Sequence, residues 1–266
     1  MLPKNLVPII TPFTGSDLKI DFDSMLKQVE FLVSKGINGL ILGGTTGESI
    51  SLSNQERKEI IQVTAKSYPN LSLVGCVFAW DWPGLVGMID AFSGCRGLLV
   101  LPPMFIRPGR DDILDYYSTI TKLSPLPIIL YNNPSRTKVD ISDLYEELTK
   151  LKQVIGVKET DFTNKHSVNV WCGEDSQATQ VKCYGMISAL ANLLPAIANK
   201  IAEHTNTQDE TQYWNNICNI MNNYVNPLPI KYLLHRLNII SSPETRFAIK
   251  LRNTDELDQL LGYLRQ

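Results

Sequence analysis

A lysine and a tyrosine close two short apolar runs near the middle of the chain. Lys158 ends the run Val154–Lys158, and Tyr131 ends the run Pro127–Tyr131. If both runs are buried strands, desolvation favours the neutral amine of Lys158 and frees its lone pair for attack on a carbonyl. Such a lysine can form a Schiff base, and a neighbouring phenol can carry the protons that this reaction moves. Position alone also allows a lysine that faces solvent or pairs with Glu159, and a tyrosine packed at the rim of the fold.

Two further segments carry groups suited to a small anion. The glycines of Gly43–Ser49 leave backbone N–H groups free to converge on an anion, and Thr45 and Thr46 add two hydroxyls. The segment lacks the Gly-Lys-Ser/Thr ending of a P-loop, and taken alone it is also explained as an ordinary glycine-rich turn. Shortly after Tyr131, Arg136 can hold a carboxylate through two parallel hydrogen bonds. The two segments together predict a carboxylate site.

The elements that must position these residues alternate between short apolar runs and segments of helical period, which is typical of βαβ units. Asp21 and Asn54 each precede a helical segment and are candidate N-caps. The predicted strands, apolar on both faces as in parallel sheets, are Leu6–Thr11, Gly39–Gly43, Leu71–Cys76, Gly97–Leu101, Pro127–Tyr131, Val154–Lys158, Val168–Cys172 and Gly185–Ser188. Eight strands predict an α/β fold of the (β/α)8 barrel type. The alternative is an open doubly wound sheet, which the lack of Gly-x-Gly-x-x-Gly after the first strand disfavours.

The late part of the chain departs from an even barrel. Only Asp161–Ser167 separates the sixth strand from the seventh, so we expect helix six to be vestigial or absent. Three segments of helical period follow the eighth strand, at Gln208–Tyr224, Pro227–Leu237 and Thr254–Arg265. We therefore expect residues 1–205 to form the barrel and residues 206–266 to form a carboxyl-terminal helical domain. In a barrel, catalytic groups lie at the carboxyl ends of the strands.

Composition narrows the classes of partner. The 266 residues are 44% hydrophobic and carry a net charge of −2, which excludes a basic footprint for nucleic acid. No apolar run approaches the ~20 residues that span a bilayer, and Met1–Ile10 lacks the features of a signal peptide. We expect small molecules or copies of the chain itself as partners.

Cysteine and histidine usage points away from metal and disulfide chemistry. The five cysteines are an odd number without a Cys-x-x-Cys pair, which disfavours a disulfide framework or a structural zinc site. We therefore expect a reducing, cytoplasmic setting. His166, His204 and His235 are isolated, which disfavours a His-based metal site or a Ser-His-Asp triad.

Four motifs, in this order, resemble the dihydrodipicolinate synthase and N-acetylneuraminate lyase family of pyruvate-dependent aldolases. They are Gly-Thr-Thr-Gly-Glu-Ser at 44–49, Tyr-Asn-x-Pro-Ser-Arg-Thr at 131–137, Gly-Val-Lys-Glu at 156–159 and Asn-Pro-Leu-Pro-Ile-Lys at 226–231. The resemblance covers nearly the whole chain and implies a (β/α)8 barrel with a carboxyl-terminal helical domain. It also implies a homotetramer built as a dimer of dimers, or a homodimer, and no metal or organic cofactor, because the imine itself is the electron sink.

The resemblance assigns the chemistry to named positions. Lys158 resembles the lysine that condenses with the ketone of pyruvate, and Tyr131 resembles the phenol that relays protons. Thr45 and Thr46, preceded by Gly44, match the hydroxyl pair that joins this relay and holds the pyruvate carboxylate.

Two further positions concern the substrates. The backbone carbonyl of Ile187 matches the position on the eighth strand that faces bound pyruvate. Arg136 resembles the arginine that receives the carboxylate of the second substrate, which is aspartate semialdehyde in the synthases. Its presence favours synthase activity, in lysine and diaminopimelate biosynthesis, over action on a sugar acid.

Two departures from the family pattern keep alternatives open. The family's Pro-Tyr-Tyr after the fourth strand, whose second tyrosine reaches a neighbouring subunit's site, is Pro103-Met104-Phe105 here, and Phe105 cannot carry a proton. Tyr116, Tyr117 or an ordered water are the candidate replacements. The segment between Lys158 and Gly173 is also shorter than the family's. The alternatives are another pyruvate aldolase that acts on a sugar acid or related aldehyde, and a catalytically weakened homologue that binds a keto acid or serves only as an assembly partner.

Overall fold

Eight short strands close into a parallel barrel in the computed structural model, which describes residues 2–79, 81–162 and 168–264. The strands are β1 (Asn5–Pro8), β2 (Gly39–Leu42), β3 (Ser72–Val77), β4 (Gly97–Val100), β5 (Ile128–Tyr131), β6 (Val154–Glu159), β7 (Val170–Cys172) and β8 (Gly185–Ile187). Each strand pairs in parallel with its neighbours, and β1 closes the ring against β8. The predicted (β/α)8 barrel is confirmed, and the open sheet is excluded.

Helices cover the outside of the barrel and continue beyond its last strand. They are α1 (Phe22–Ser34), α2 (Asn54–Ser67), α3 (Trp82–Ala91), α4 (Arg110–Leu123), α5 (Pro134–Thr137), α6 (Tyr145–Leu148), α7 (Pro195–Ala202), α8 (Gln208–Met221), α9 (Leu228–Arg236) and α10 (Asp255–Leu264). The three helices predicted after the eighth strand correspond to α8, α9 and α10, each slightly shorter than its sequence pattern. Within the described ranges, no helix combines the length and the apolar character needed to cross a membrane.

Helix caps follow the sequence in one case and depart from it in another. Asp21 is the N-cap of α1, as predicted, and its side chain accepts a hydrogen bond from the Ser24 N–H at 3.0 Å. The prediction of Asn54 as the cap of α2 was wrong. Ser53 takes that place because its hydroxyl accepts from the Glu56 N–H at 3.1 Å while the Glu56 carboxylate accepts from the Ser53 N–H at 2.8 Å. This reciprocal pair satisfies two N–H groups at once.

The first strand is shorter than predicted because buried residues continue past its last paired residue. The pairing of β1 with β2 ends at Pro8 and Ile41, so the predicted Leu6–Thr11 was too long. Ile9 and Ile10 stay buried as loop residues, which explains why the apolar run continues past the strand. Most of Asp161–Ser167, where helix six was predicted to be vestigial or absent, lies outside the described residues.

The interior of the barrel is filled below the carboxyl ends of its strands. A cluster of inward-facing side chains, separate from the larger core between strands and helices, runs from Leu6 and Trp171 up to Tyr131. Trp171 is almost fully buried, and its indole N–H donates to the Pro3 carbonyl at 3.2 Å. Because side chains fill the lower part of the barrel, only its carboxyl-terminal face has room for a site.

Candidate active site

A cavity of about 560 Å³ opens at the carboxyl ends of the strands. All seven side chains or backbone positions singled out in the sequence line it, and they are Gly44, Thr45, Thr46, Tyr131, Arg136, Lys158 and Ile187. These residues come from the carboxyl ends of β5, β6 and β8, from the loop that follows β2 and from helix α5. The fold therefore gathers into one place residues that the sequence separates by more than 140 positions.

Lys158 and Tyr131 face each other at the base of the cavity. They are partners in the register between β5 and β6, and the Lys158 Nζ lies 4.0 Å from the centroid of the Tyr131 ring. Lys158 is only 8% exposed, which excludes the solvent-facing alternative. The amine therefore lies beside a phenol in a largely desolvated site, which is the arrangement that Schiff-base chemistry uses.

Glu159 points to the opposite face of β6, as strand alternation requires. Its carboxylate accepts from the Tyr145 hydroxyl at 2.5 Å, from the Asn132 side-chain amide at 3.2 Å and from the Thr160 N–H at 2.8 Å. No ion pair joins Lys158 to Glu159 in the described part of the chain, so this second alternative is excluded as well. The bonds of Glu159 to Asn132 tie together the residues that directly follow Lys158 and Tyr131.

The phenol of Tyr131 is tuned by its surroundings. Burial raises its pKa, but the positive charges of Lys158 and Arg136 act in the opposite direction, and the net effect lowers the pKa of Tyr131 below its ordinary value. The Asn133 side-chain amide also donates to the phenol oxygen at 3.4 Å. A phenol that gives up its proton more easily is better suited to proton transfer.

The loop after β2 presents the two threonines to the cavity. Gly43 has a φ of 62°, a left-handed conformation that glycine adopts without steric cost and that turns the chain out of the strand. Thr46 is buried, and its Oγ1 accepts from the Asn226 side-chain amide at 3.1 Å. Thr45 is exposed on the cavity side. Gly44, Thr45 and Thr46 thus all line the cavity from this loop.

Arg136 stands at the border between two cavities. Helix α5 carries it, and the Asn133 side chain caps that helix by accepting from the Arg136 N–H at 3.3 Å. A second cavity of about 190 Å³ shares Thr45, Tyr131 and Arg136 with the first and is otherwise mainly apolar. Within the ranges that the structure describes, no carboxylate lies within ion-pair distance of the guanidinium. Arg136 thus lines both cavities with no carboxylate partner among the described residues.

Sequence reasoning assigned no role to several polar residues that also line the cavity, among them Glu174, Asp175 and Asn226. The Asp175 carboxylate accepts from the Leu190 N–H at 2.8 Å. Burial raises the pKa of Asp175 to about 6. The hydrogen bonds with Ser188 and Leu190 and the charge of Lys158 act in the opposite direction, but their effects are smaller. Two acidic residues directly after a barrel strand were the available signal, because that is where barrel enzymes place catalytic groups.

Gly173 brings the loop after β7 against the side chain of Lys158. A Cβ at this position would lie 2.6 Å from the Lys158 Cε and 3.0 Å from the Glu159 carbonyl oxygen. The absence of a side chain at Gly173 is thus what allows Lys158 to extend into the cavity.

The candidate replacements for a second relay tyrosine do not reach the cavity. Tyr117 is fully buried between α4 and the barrel, where its hydroxyl donates to the Val100 carbonyl at 3.3 Å. Tyr116 packs edge-on against it with ring centroids 5.3 Å apart. Neither tyrosine lines the cavity of its own chain, because α4 turns both rings into the core outside the strands. Phe105 is 82% exposed with a φ of 70° and does not line the cavity of its own chain.

Comparisons with known proteins identify the family of the chain over nearly its whole length. The sequence model of the Dihydrodipicolinate synthetase family matches residues 2–266. The 4-hydroxy-tetrahydrodipicolinate synthase of Chlamydia trachomatis serovar D is 31% identical over 271 residues, covering 96% of this chain and 92% of that protein. The solved 4-hydroxy-tetrahydrodipicolinate synthase of Methylacidiphilum fumariolicum SolV has a TM-score of 0.89 at 23% identity, covering 100% of this chain and 96% of that one.

A further solved structure, the chloride-inhibited dihydrodipicolinate synthase of Acinetobacter baumannii in complex with pyruvate, has a TM-score of 0.87 at 24% identity. It covers 99% of this chain and 98% of that one. At these identities, the two structural matches establish the barrel fold.

Proposed function

Because the chain belongs to the dihydrodipicolinate synthetase family and is a lyase, we propose that it condenses pyruvate with aspartate semialdehyde through a Schiff base on Lys158. The product is 4-hydroxy-tetrahydrodipicolinate, in lysine and diaminopimelate biosynthesis. One observation carries the proposal: the buried Lys158 Nζ lies 4.0 Å from the Tyr131 ring centroid at the base of the cavity. The pyruvate complex of the Acinetobacter baumannii enzyme supports pyruvate as the first substrate.

Pyruvate enters with its carboxylate on the loop after β2. The Thr45 and Thr46 hydroxyls and the Gly44 backbone hold that carboxylate, which directs the ketone carbon towards the Lys158 amine. The Ile187 carbonyl faces the bound molecule from β8. Positioning of this kind turns a bimolecular encounter into a step within one site and supplies a large part of the rate.

Lys158 attacks the ketone carbon, and Tyr131 protonates the oxygen that leaves as water, so that an imine forms. The imine acidifies the former methyl group, which loses a proton and becomes the nucleophilic carbon of an enamine. That carbon bonds to the aldehyde carbon of the second substrate, whose carboxylate Arg136 holds. The amino group of the second substrate then replaces the Lys158 nitrogen, which closes the ring and regenerates the free amine.

Reductive trapping tests the Schiff base directly. Borohydride added with pyruvate should fix the imine, and mass spectrometry should find a pyruvate-derived mass on Lys158. Trypsin does not cut at an alkylated lysine, so the label should lie on a peptide that runs through Lys158. A Lys158→Met variant is the matched control and should take up no label. A label on another lysine, or none in the folded wild type, contradicts the proposal.

A panel of aldehydes separates the proposed activity from its alternatives. Turnover with aspartate semialdehyde alone supports the synthase, whereas turnover with sugar-acid aldehydes supports the other aldolases. Trapping of pyruvate without turnover of any aldehyde supports the weakened homologue that Phe105 suggests.

The remaining family properties are part of the same proposal. We expect a homotetramer or homodimer in a cytoplasmic setting, with residues 206–266 as a helical domain. Size measurement by light scattering tests the assembly.

A further inference from the structure

The motif Asn226–Lys231, at the start of α9, contacts the loop after β2 at both of its ends. At one end, the Asn226 amide donates to the Thr46 Oγ1 at 3.1 Å. At the other end, Lys231 forms an ion pair with Glu48, and both side chains have 0% exposure. The carboxyl-terminal part of the chain therefore contacts, at two points, the short loop that carries Thr45 and Thr46, the proposed pyruvate-binding threonines.

Other contacts fix this ion pair in place. Lys231 Nζ also donates to the Glu244 carbonyl at 2.9 Å and lies 4.2 Å from the centroid of the Phe13 ring. The second oxygen of the Glu48 carboxylate accepts from the Arg246 N–H at 2.8 Å. Glu48 is thus held from two sides by residues nearly 200 positions further along the chain.

The side chain of Arg246 connects the same region to the amino-terminal part of the barrel. The Arg246 guanidinium donates to the Leu18 carbonyl at 2.8 Å, to the Ser51 carbonyl at 3.0 Å and to the Glu56 carboxylate at 2.7 Å. It also stacks 4.4 Å from the Phe13 ring centroid. The loop after β2 is therefore enclosed between two distant parts of the sequence.

The conformation of Glu48 indicates what this enclosure achieves. Its φ is 55°, a left-handed conformation that a residue other than glycine keeps only where its surroundings determine it. Buried ion pairs add little stability compared with apolar pairs of the same size, so a gain in stability does not explain this one. The ion pair is explained instead by its effect on the backbone, because it holds Glu48 in this left-handed conformation.

The contact at Thr46 has a direct chemical consequence. Because the Asn226 amide occupies a lone pair of Thr46 Oγ1, the Thr46 proton is left to donate elsewhere. Thr46 lines the cavity, so a ligand bound there can accept that proton.

We propose that Glu48 and Lys231 are positioning residues, which hold the loop after β2 so that Thr45 and Thr46 receive the pyruvate carboxylate in line with Lys158. The carboxyl-terminal segment would then set the geometry of pyruvate binding without touching the reacting atoms. This inference rests on the proposed function, because pyruvate is the ligand whose binding it affects.

Three variants of the full-length protein test the inference: Glu48→Gln, Lys231→Met and the double variant. Each single variant leaves one buried charge without its partner and should lower the unfolding temperature. The double variant removes both charges and should recover most of that loss. The KM for pyruvate should nevertheless rise at least tenfold in all three, with a smaller change in kcat, because none of them holds the loop.

Lys200→Met is the matched control, since it breaks the exposed Lys200–Glu210 ion pair far from the loop and should leave the KM unchanged. Recovery of the wild-type KM in the double variant, together with its stability, would mean a purely structural role and would overturn the inference. If a single variant does not fold, the KM of the double variant decides.

Amide hydrogen exchange separates this inference from the proposed function. Exchange in the peptide that covers residues 44–49 should be faster in the double variant than in the wild type, while the barrel strands keep their protection. Equal exchange in that peptide overturns the positioning role, whether or not pyruvate is the substrate. A wild type that traps no pyruvate imine overturns the proposed function alone.

Discussion

Replacing Gly173 with alanine should displace Lys158, the proposed Schiff-base lysine, without unfolding the barrel. The φ of Gly173 is not in the left-handed region, so the backbone itself accepts alanine. The new Cβ would lie 2.6 Å from the Lys158 Cε and 2.8 Å from its Cγ. Ordinary carbon contacts are about 3.5 to 4.0 Å, so the lysine chain must move by roughly 1 Å. A misplacement of that size costs about 10²-fold in rate, or about 2.7 kcal/mol of activation free energy.

The assay follows both the chemistry and the fold. We expect kcat/KM and the rate of borohydride-trapped imine formation to fall about 10²-fold in Gly173→Ala, whereas overpacking lowers the free energy of unfolding by about 1 to 3 kcal/mol. Gly262→Ala is the matched control, because a Cβ there meets nothing within 4 Å. That variant should keep full activity and gain up to about 1 kcal/mol from better helix propensity. A folded Gly173→Ala protein with kinetics within threefold of the wild type would refute the placement of Lys158 against this loop.

Three further variants test the proton chemistry and the electrostatics. Tyr131→Phe should slow imine formation by about 10²- to 10⁴-fold in single-turnover trapping while lowering the unfolding temperature only slightly, since the buried ring stays and only the hydroxyl is lost, with its 3.4 Å bond from Asn133 and its hydrogen bond with Lys158; a loss below threefold would exclude the phenol as the proton carrier. Phe105→Tyr should raise turnover with aspartate semialdehyde at least tenfold if a neighbouring copy supplies the second relay hydroxyl, and an unchanged rate in a protein that still forms the imine would mean that the relay does without it. Asp175→Asn tests stability against pH: the pKa of Asp175 is raised from 3.8 to about 6, so the folded state binds the proton more tightly and loses stability as the pH rises through this window. The unfolding temperature of Asp175→Asn relative to the wild type should therefore increase between about pH 4 and pH 6 and stay level above, and a constant difference would contradict the raised pKa.

The barrel and its reactive pair were predictable because their signals are local. Lys158 and Tyr131 each close an apolar run, and the parallel register of β5 and β6 then places them side by side without further information. The presence of Thr46 and Arg136 at the cavity was predictable for a similar reason, since each lies within a few residues of a strand's carboxyl end. Position along a strand determines which end of the barrel a residue reaches.

Contacts between distant parts of the chain were not predictable from one sequence. Nothing near Glu48 in the sequence indicates that it is fully buried against Lys231. The position of Asp175 after a barrel strand signals its place at the cavity, but its raised pKa arises only when the barrel buries it. The predicted end of β1 was wrong for a related reason, because Ile10 is buried by tertiary packing rather than by strand pairing.

Closure of the ring between β1 and β8 has a consequence for synthesis on the ribosome. Asn5 pairs with Met186 and Leu6 with Ile187. During translation, one edge of β1 therefore stays unpaired until β8 has been synthesised. Until then that edge has free backbone groups, which are a template for pairing with other chains. A stalled or truncated nascent chain that ends before β8 should therefore aggregate or engage a chaperone rather than rest as a smaller folded unit.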